Sequence, residues 1–153
     1  MIHETYALFV SPQGDDLEGD GSRAKPFKTF EHAVSQAALQ KKRVYACATQ
    51  GAFAEQVNLG PVEDGVSLFG GFDCSTWDYV EGKKTKIDGP NNGALVVQDL
   101  ANGSTIEDFE LSAKDATSPG SASMGVVVGN SKGVTLRRTT VVAGKGANGV
   151  AGY

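Results

Sequence analysis

One segment near the start of the chain has the spacing of an amphipathic helix. Its apolar residues recur at intervals of three and four, as on one buried helix face: Phe30, Ala33, Val34, Ala37 and Ala38. Thr29 precedes them as a suitable N-cap, and the basic residues 41–43 suit the partial negative charge at a helix C-terminus. This pattern predicts a single helix that begins at Phe30.

Elsewhere the apolar residues occur in short runs without a helical period. An early run covers residues 6–11, and later runs cover 44–48, 53–59, 66–72, 85–87, 94–97, 104–113, 125–128 and 133–143. These straight pieces are short for strands of a β-sandwich. The pattern therefore indicates many brief strands joined by tight corners.

The last of these regions repeat each other. The segment that begins at Gly93 aligns with the segment that begins at Gly125, and the aligned apolar pairs are Ile106 with Leu136, Leu111 with Val141, and Ala113 with Ala143. Periods of ~20 to 50 residues are typical of stacked coils and propellers. Because each unit holds three short strands, whereas a propeller blade has four antiparallel ones, the repeat favours a parallel solenoid.

The Gly70–Gly71 pair interrupts an alternating run. Such a pair suits either a hairpin or a bend between strands of different sheets. The repeat aligns it with residues 107–108 and 137–138, which lie between the second and third strands of their units. This alignment predicts a bend between two sheets.

Length, charge and composition narrow the class of protein. The 153 residues fit one domain with a real core, and the net charge of −4 disfavours binding to nucleic acid or anionic lipid. No run approaches the ~18 apolar residues of a membrane span, and the first ten residues lack the features of a signal peptide. We expect neither a nucleic-acid partner nor membrane insertion.

Residues 9–37, FVSPQGDDLEGDGSRAKPFKTFEHAVSQA, resemble the N-terminal cap of right-handed parallel β-helix proteins of the pectate-lyase-like superfamily. GAFAEQVNL (51–59) and GVSLFGGFD (65–73) resemble the first coils of a related bacterial family of unknown function, found in secreted and surface proteins. The resemblance covers about residues 6–143. It implies an all-β fold with a cap (a strand, an acidic turn and a helix) in residues 1–43 and β-helix coils in 44–153.

The C-terminal sequence AGKGANGVAGY contains no polar capping element, which a solenoid needs at each end. We therefore expect a β-helix truncated at this end and belonging to a longer protein. The exposed last coil also suggests a homodimer, in which two chains pair through that coil.

The resemblance implies a function only broadly, because the superfamily contains polysaccharide lyases, glycoside hydrolases, adhesins and inert scaffolds. Catalytic residues of those enzymes lie on middle coils, and this chain has few coils beyond its cap. We therefore expect a non-catalytic scaffold or binding module of a secreted or surface-anchored bacterial protein, with carbohydrate as a candidate ligand and no cofactor. The alternative is a fragment of a polysaccharide lyase or glycoside hydrolase.

Cys47 and Cys74 are about one coil apart in the sequence. Stacked strands lie ~4.8 Å apart, and a disulfide requires Cα atoms ~4.4 to 6.8 Å apart. The alternative is two buried thiols, since free cysteine packs as a small apolar residue. The polar surroundings of Cys74 favour the disulfide.

Glu107 and Asp108 align with Arg137 and Arg138 in the repeat. Stacked coils would place each acid beside a base on the outer surface, as a cross-coil charge ladder. The functional alternative is a lyase site, because β-helix lyases use an Arg or Lys base with acidic calcium ligands. The structural interpretation is favoured, because every charge in the set already has an opposite neighbour.

Tyr45, Trp77 and Tyr79 are candidates for a platform on which sugar rings stack. Trp77 and Tyr79 are two residues apart in an extended stretch, which would place both rings on one side. Packing of these rings against the flank of the helix explains them equally well.

Asp16, Glu18, Asp20 and Gly21 imitate the opening of an EF-hand loop, but Phe27 occupies the twelfth position, where a bidentate Glu is required. A turn with solvated acids is favoured over weak calcium binding.

GKGANG, residues 144–149, matches a dinucleotide fingerprint without the required helix after it. His3 and His32 have no metal-ligand spacing with the cysteines, and no Ser-His-Asp arrangement is recognisable. We therefore predict no catalytic residue and no metal ligand.

Overall fold

The computed structural model describes residues 3–152, which form short strands and one helix. The strands are β1 (Ala7–Val10), β2 (Arg43–Cys47), β3 (Val57–Leu59), β4 (Leu68–Phe72), β5 (Thr85–Gly89), β6 (Leu95–Gln98), β7 (Ser104–Glu107), β8 (Phe109–Ala113), β9 (Val126–Gly129), β10 (Val134–Arg137) and β11 (Thr140–Val142). The helix, α1 (Phe30–Gln40), lies between β1 and β2 in the chain.

The strands form three sheets, and every pair of neighbouring strands within them is parallel. Sheet A has the order β1-β2-β4-β7-β10, sheet B the order β5-β8-β11, and sheet C the order β3-β6-β9. From β3 onward the chain visits sheets C, A and B in that order three times. The prediction of brief parallel strands is therefore confirmed.

The last strands of sheets A and B pair with residues thirty positions earlier in the chain, which is the period of the sequence repeat. Leu136 lies opposite Ile106 in sheet A, and Val141 lies opposite Leu111 in sheet B. Ile106 and Leu111 are buried in a core shared by all three sheets and the helix. The repeat thus places like side chains above one another in the interior.

The helix forms as its sequence predicts at its start. The Thr29 side chain accepts a hydrogen bond from the backbone N–H of His32, and the helix buries Phe30, Ala33, Val34 and Ala37. It lies mainly against β1, β2 and β3, the first strands of sheets A and C, and its Phe30 ring also packs edge-on against Phe109 of β8. The basic residues 41–43 lie beyond the last turn, because Lys41 is already a left-handed C-cap.

The prediction of a bend at Gly70–Gly71 is wrong. Strand β4 continues through both glycines, and Phe72 pairs with Cys47 across a register shift. Phe72 then forms an antiparallel bridge to Tyr79. Glycine permits this path because Gly71 has a φ of +82°, and because a Cβ on Gly70 would overlap the carbonyl oxygen of Asp108.

Candidate functional site

A groove of about 910 Å³ lies where β7 turns into β8 and β10 turns into β11. We call it the Tyr79 groove. It is lined by the corner residues of two successive turns and by the loop before β5: Tyr79, Glu81, Gly82, Lys84, Asp108 and Arg138.

The corners bring two charged side chains to the groove through unusual backbone conformations. Asp108 has a φ of +62° and Arg138 a φ of +47°, both in the left-handed region that favours glycine. Residues held in this region cost free energy and persist only where the surrounding structure supports them. Here the corner between two strands imposes the conformation, and both side chains make specific contacts.

Arg138 forms a bidentate pair with Asp108. Its Nε lies 2.8 Å from Oδ1 and its terminal nitrogen 2.9 Å from Oδ2, and it also bonds Glu107. Arg137 approaches Glu107 at 3.7 Å. The hydrogen bonds that Arg138 donates to the carboxylates of Asp108 and Glu107 raise the pKa of Arg138. The four residues of the predicted charge ladder are thus adjacent, with the acids mostly buried and the guanidinium groups about half exposed.

Tyr79 supplies an exposed ring at the groove. It is 46% exposed, and its ring packs edge-on against Phe72 with 6.0 Å between centroids. Partial burial raises the pKa of Tyr79, and the negative charge of nearby Asp108 adds to this effect. The groove therefore places an aromatic face beside hydrogen-bond donors and acceptors.

The other two candidate aromatic residues are part of a packed cluster. Trp77 is only 3% exposed, its ring meets Phe9 edge-on at 4.8 Å, and its Nε1 donates to the carbonyl of Arg23. Tyr45 is half-buried against Phe9 and Phe72. The structure does not join the three rings in one exposed platform, because a φ of +61° at Trp77 turns the chain between it and Tyr79.

Cys47 and Cys74 form the predicted disulfide. Their Cα atoms are 4.8 Å apart, and the bond joins β2 to the turn that follows β4. Cys47 is fully buried beside Phe9 and Trp77, while Cys74 is partly exposed. The disulfide therefore fastens the turn before Trp77 to strand β2 of sheet A.

The acids of the predicted calcium-like loop cap local backbone. Asp16 accepts hydrogen bonds from the N–H groups of Lys28 and Thr29 and from the Thr29 hydroxyl. Asp20 accepts from the N–H of Ser22. Within residues 3–152, no group of three or more His, Cys, Asp or Glu side chains is arranged to hold a metal ion.

Two further acids, Glu55 and Asp64, have structural roles that the sequence does not predict. Each accepts hydrogen bonds from backbone N–H groups of a segment distant in the chain. Glu55 accepts from the backbone N–H groups of Phe30 and Glu31 at the start of α1, and desolvation raises its pKa. Asp64 accepts from three consecutive N–H groups of the next turn, those of residues 101–103. Desolvation opposes ionisation of Asp64, but these hydrogen bonds together hold its pKa below the ordinary 3.8.

The sequence also does not predict that the loop before β5 lines the groove, because this loop lies outside the repeat and carries no motif. Its groove residues are Glu81, Gly82 and Lys84. Lys84 donates from Nζ to the hydroxyl of Thr140 on β11. These residues reach the groove because the loop lies beside Asp108 and Arg138, at the corners between β7 and β8 and between β10 and β11.

The remaining motifs acquire no ligand geometry. Residues 144–149 have no helix after them within the described chain. His32 packs edge-on against Phe27 at 4.6 Å, and His3 is exposed. No helix in residues 3–152 has the length and apolar character needed to cross a bilayer.

Comparison with known proteins adds no relative: no family model, no curated protein and no solved structure matches the chain.

Proposed function

We propose that the chain is the helix-capped end of a right-handed parallel β-helix of the pectate-lyase-like type, acting as a non-catalytic scaffold or binding module of a secreted or surface-anchored bacterial protein. The observation that carries the proposal is the repeated order of sheets C, A and B, with strands in register between turns. Such stacking produces a stiff body whose outer surface can vary independently of its core.

The use of the acidic side chains supports a scaffold. Asp16, Glu55 and Asp64 cap backbone N–H groups, and Glu107 and Asp108 pair with arginine. These contacts stabilise the helix, the corners and the stacking of turns. These five carboxylates are thus engaged in holding the fold.

The disulfide supports a secreted location. Structural disulfides persist in oxidising compartments and are rare in the cytosol. A disulfide that joins β2 to the turn after β4 would be maintained outside the cell.

Carbohydrate binding in the Tyr79 groove is the second candidate function. The half-exposed ring of Tyr79 offers an apolar face, and Asp108, Arg138 and Lys84 supply acceptors and donors beside it. Sugar rings present an apolar face and hydroxyl groups at their edges, so this combination suits them.

The test is a binding screen of the full chain against a panel of bacterial and plant polysaccharides, with titration of any ligand found. We expect Tyr79→Ala to weaken binding at least tenfold. Tyr6→Ala is the matched control, because Tyr6 is exposed in a second groove beside the end of α1 and should leave the affinity unchanged. Equal losses in both variants, or no ligand for the wild type, would remove the carbohydrate proposal and leave the scaffold.

The lyase or hydrolase alternative rests on the resemblance alone. Incubation of the same polysaccharides with wild-type protein, followed by measurement of newly formed reducing ends, separates it from the scaffold. Product formation that Arg138→Ala abolishes would overturn the non-catalytic proposal.

A further inference from the structure

A second groove lies beside the C-terminal end of α1. It encloses about 530 Å³ between residues 37–43, which end the helix and begin β2, and residues 64–69, which lead into β4. We call it the Arg43 groove, after a residue on its wall. It shares no lining residue with the Tyr79 groove.

The Arg43 groove has a positive charge in a chain that is negative overall. Lys41, Lys42 and Arg43 line it together, and Asp64 is the one acid among its described lining residues. Three positive charges and one negative charge give the groove a formal net charge of +2, whereas the whole chain has a net charge of −4. A cleft lined by one sign of charge concentrates ligands of the opposite sign. The groove therefore favours an anion.

The end of the helix does not need the three basic side chains. In its last turn, the carbonyl oxygens of Ala37 and Ala38 already accept hydrogen bonds from the backbone N–H groups of Lys42 and Lys41. None of the basic residues lies in that turn, where a positive side chain would interact most strongly with the helix dipole. Their charged groups are therefore available to a ligand.

The three cations have no anionic partner in the part of the chain that the structure describes. Within residues 3–152, the side chains of Lys41, Lys42 and Arg43 form no ion pair and no hydrogen bond. By contrast, Lys86 and Arg138 each pair with a carboxylate. The groove thus keeps the five N–H donors of a guanidinium group and the three of each ammonium group.

The surrounding structure positions Arg43 without neutralising it. Its guanidinium carbon lies 5.5 Å from the centroid of the Phe69 ring, in a cation–π contact. Phe69 in turn packs edge-on against Tyr45, with 5.9 Å between the ring centroids. Because Arg43 is already positioned, less conformational entropy is lost when a ligand binds to it.

Asp64 does not pair with the cations, because its carboxylate binds the next turn of the chain. Both of its oxygens accept hydrogen bonds from the backbone N–H groups of residues 101–103, and Oδ2 also accepts one from the side-chain amide of Asn102. The groove therefore contains one acid that is engaged elsewhere and three cations that are unpaired.

We propose that the Arg43 groove binds a phosphate monoester carried on a ring. The phosphate group accepts hydrogen bonds from Lys42 and Arg43, and the ring packs against Phe69. A phosphate monoester carries a charge of about −1.5 to −2 at neutral pH and has three acceptor oxygens, which match the charge and the donors of the groove. The guanidinium group of arginine also suits two of these oxygens at once. A carboxylate offers only two oxygens and a single charge.

Isothermal titration calorimetry of the full chain at neutral pH tests the proposal with two matched pairs of probes. They are phenyl phosphate with phenyl sulfate, and glucose 6-phosphate with glucose 6-sulfate. We expect the tighter ring phosphate to bind at least tenfold more tightly than its sulfate, which has the same ring but a single charge. It should also bind at least tenfold more tightly than inorganic phosphate, which lacks the ring. The tighter of the two phosphates identifies the ring as aromatic or sugar.

Arg43→Gln and Lys42→Gln should each weaken binding of that phosphate at least tenfold. Lys28→Gln is the matched control, because it removes the same charge from an exposed lysine just before α1 and should leave the affinity unchanged. The eleven residues of α1 place about 16 Å between its two ends. Arg43→Lys keeps the charge but loses the planar fork, so its affinity should lie between those of wild type and Arg43→Gln. Circular dichroism checks that the variants remain folded.

Amide chemical shifts measured by NMR during the titration locate the bound phosphate. Residues 41–43 and 65–69 should shift, and residues 79–84 beside the Tyr79 groove should not. The proposal would be overturned by shifts confined to other residues, by a sulfate that binds as tightly as its phosphate, or by an equal loss in Lys28→Gln. Absence of saturable binding by either ring phosphate would overturn it as well. Because the two grooves share no lining residue, none of these outcomes bears on carbohydrate binding in the Tyr79 groove.

Discussion

Removal of the Cys47–Cys74 disulfide should cost a large part of the free energy of unfolding. Cys74→Ser is the preferred variant, because Cys74 is partly exposed and Ser keeps an acceptor near the N–H of Thr49. Cys47 then stays as a buried thiol, which packs as a small apolar group and leaves no cavity. The variant therefore removes the covalent link with little other change.

The expected magnitude follows from the length of chain that the disulfide closes. The two cysteines are 27 residues apart in the sequence. The loop-entropy relation gives about 3.5 kcal/mol for a loop of that size at 25 °C, through restriction of the unfolded chain. A domain of this size has about 5–15 kcal/mol of stability in total, so the disulfide is a major contribution.

Equilibrium unfolding in urea, with linear extrapolation to water, measures the loss. Wild-type protein unfolded and refolded in the presence of a thiol reductant should reach the stability of Cys74→Ser. The variant should not respond to the reductant, which controls for effects on other groups.

A loss below about 1 kcal/mol in the variant would refute the loop-entropy reasoning. A wild-type protein whose stability is unchanged after complete reduction would refute it as well. Agreement between the reduced wild type and the variant, at about 3.5 kcal/mol below the oxidised protein, would support it.

Two further predictions concern the stacked core and the cross-turn caps. Leu68, Ile106 and Leu136 lie in register in one column of sheet A, but Leu68 is buried and Leu136 is exposed. Leu68→Ala should therefore lower the free energy of unfolding by about 2–5 kcal/mol, and Leu136→Ala by only about 1 kcal/mol. Equal losses of the two variants in urea unfolding would contradict the stacked column. Because the folded-state pKa of Asp64 lies below 3.8, its carboxylate adds stability above pH 3.8 that is lost as pH falls through the folded pKa. Asp64→Asn should therefore lower the urea midpoint at neutral pH, with a difference from wild type that shrinks at acidic pH, and a difference independent of pH would contradict this role.

Features that depend on local spacing were predictable from the sequence. The helix follows from apolar residues at intervals of three and four after Thr29, because a helix turns once every 3.6 residues. The thirty-residue repeat follows from Ile106 and Leu136, because identical turns must place like side chains above one another. The disulfide was predictable for the same reason, since one turn separates Cys47 from Cys74.

Features that depend on which segments meet were decided only by the tertiary structure. Strand β4 continues through Gly70–Gly71, and residue 70 must be glycine because the carbonyl oxygen of Asp108 lies where a Cβ would stand. No sequence pattern near residue 70 reveals this close approach. Tyr79 faces the groove and Trp77 faces the core because the left-handed conformation at Trp77 breaks the alternation of an extended strand. Local sequence determines periodicity and pairing distance, but close approach of distant backbone segments selects among the conformations that local preferences allow.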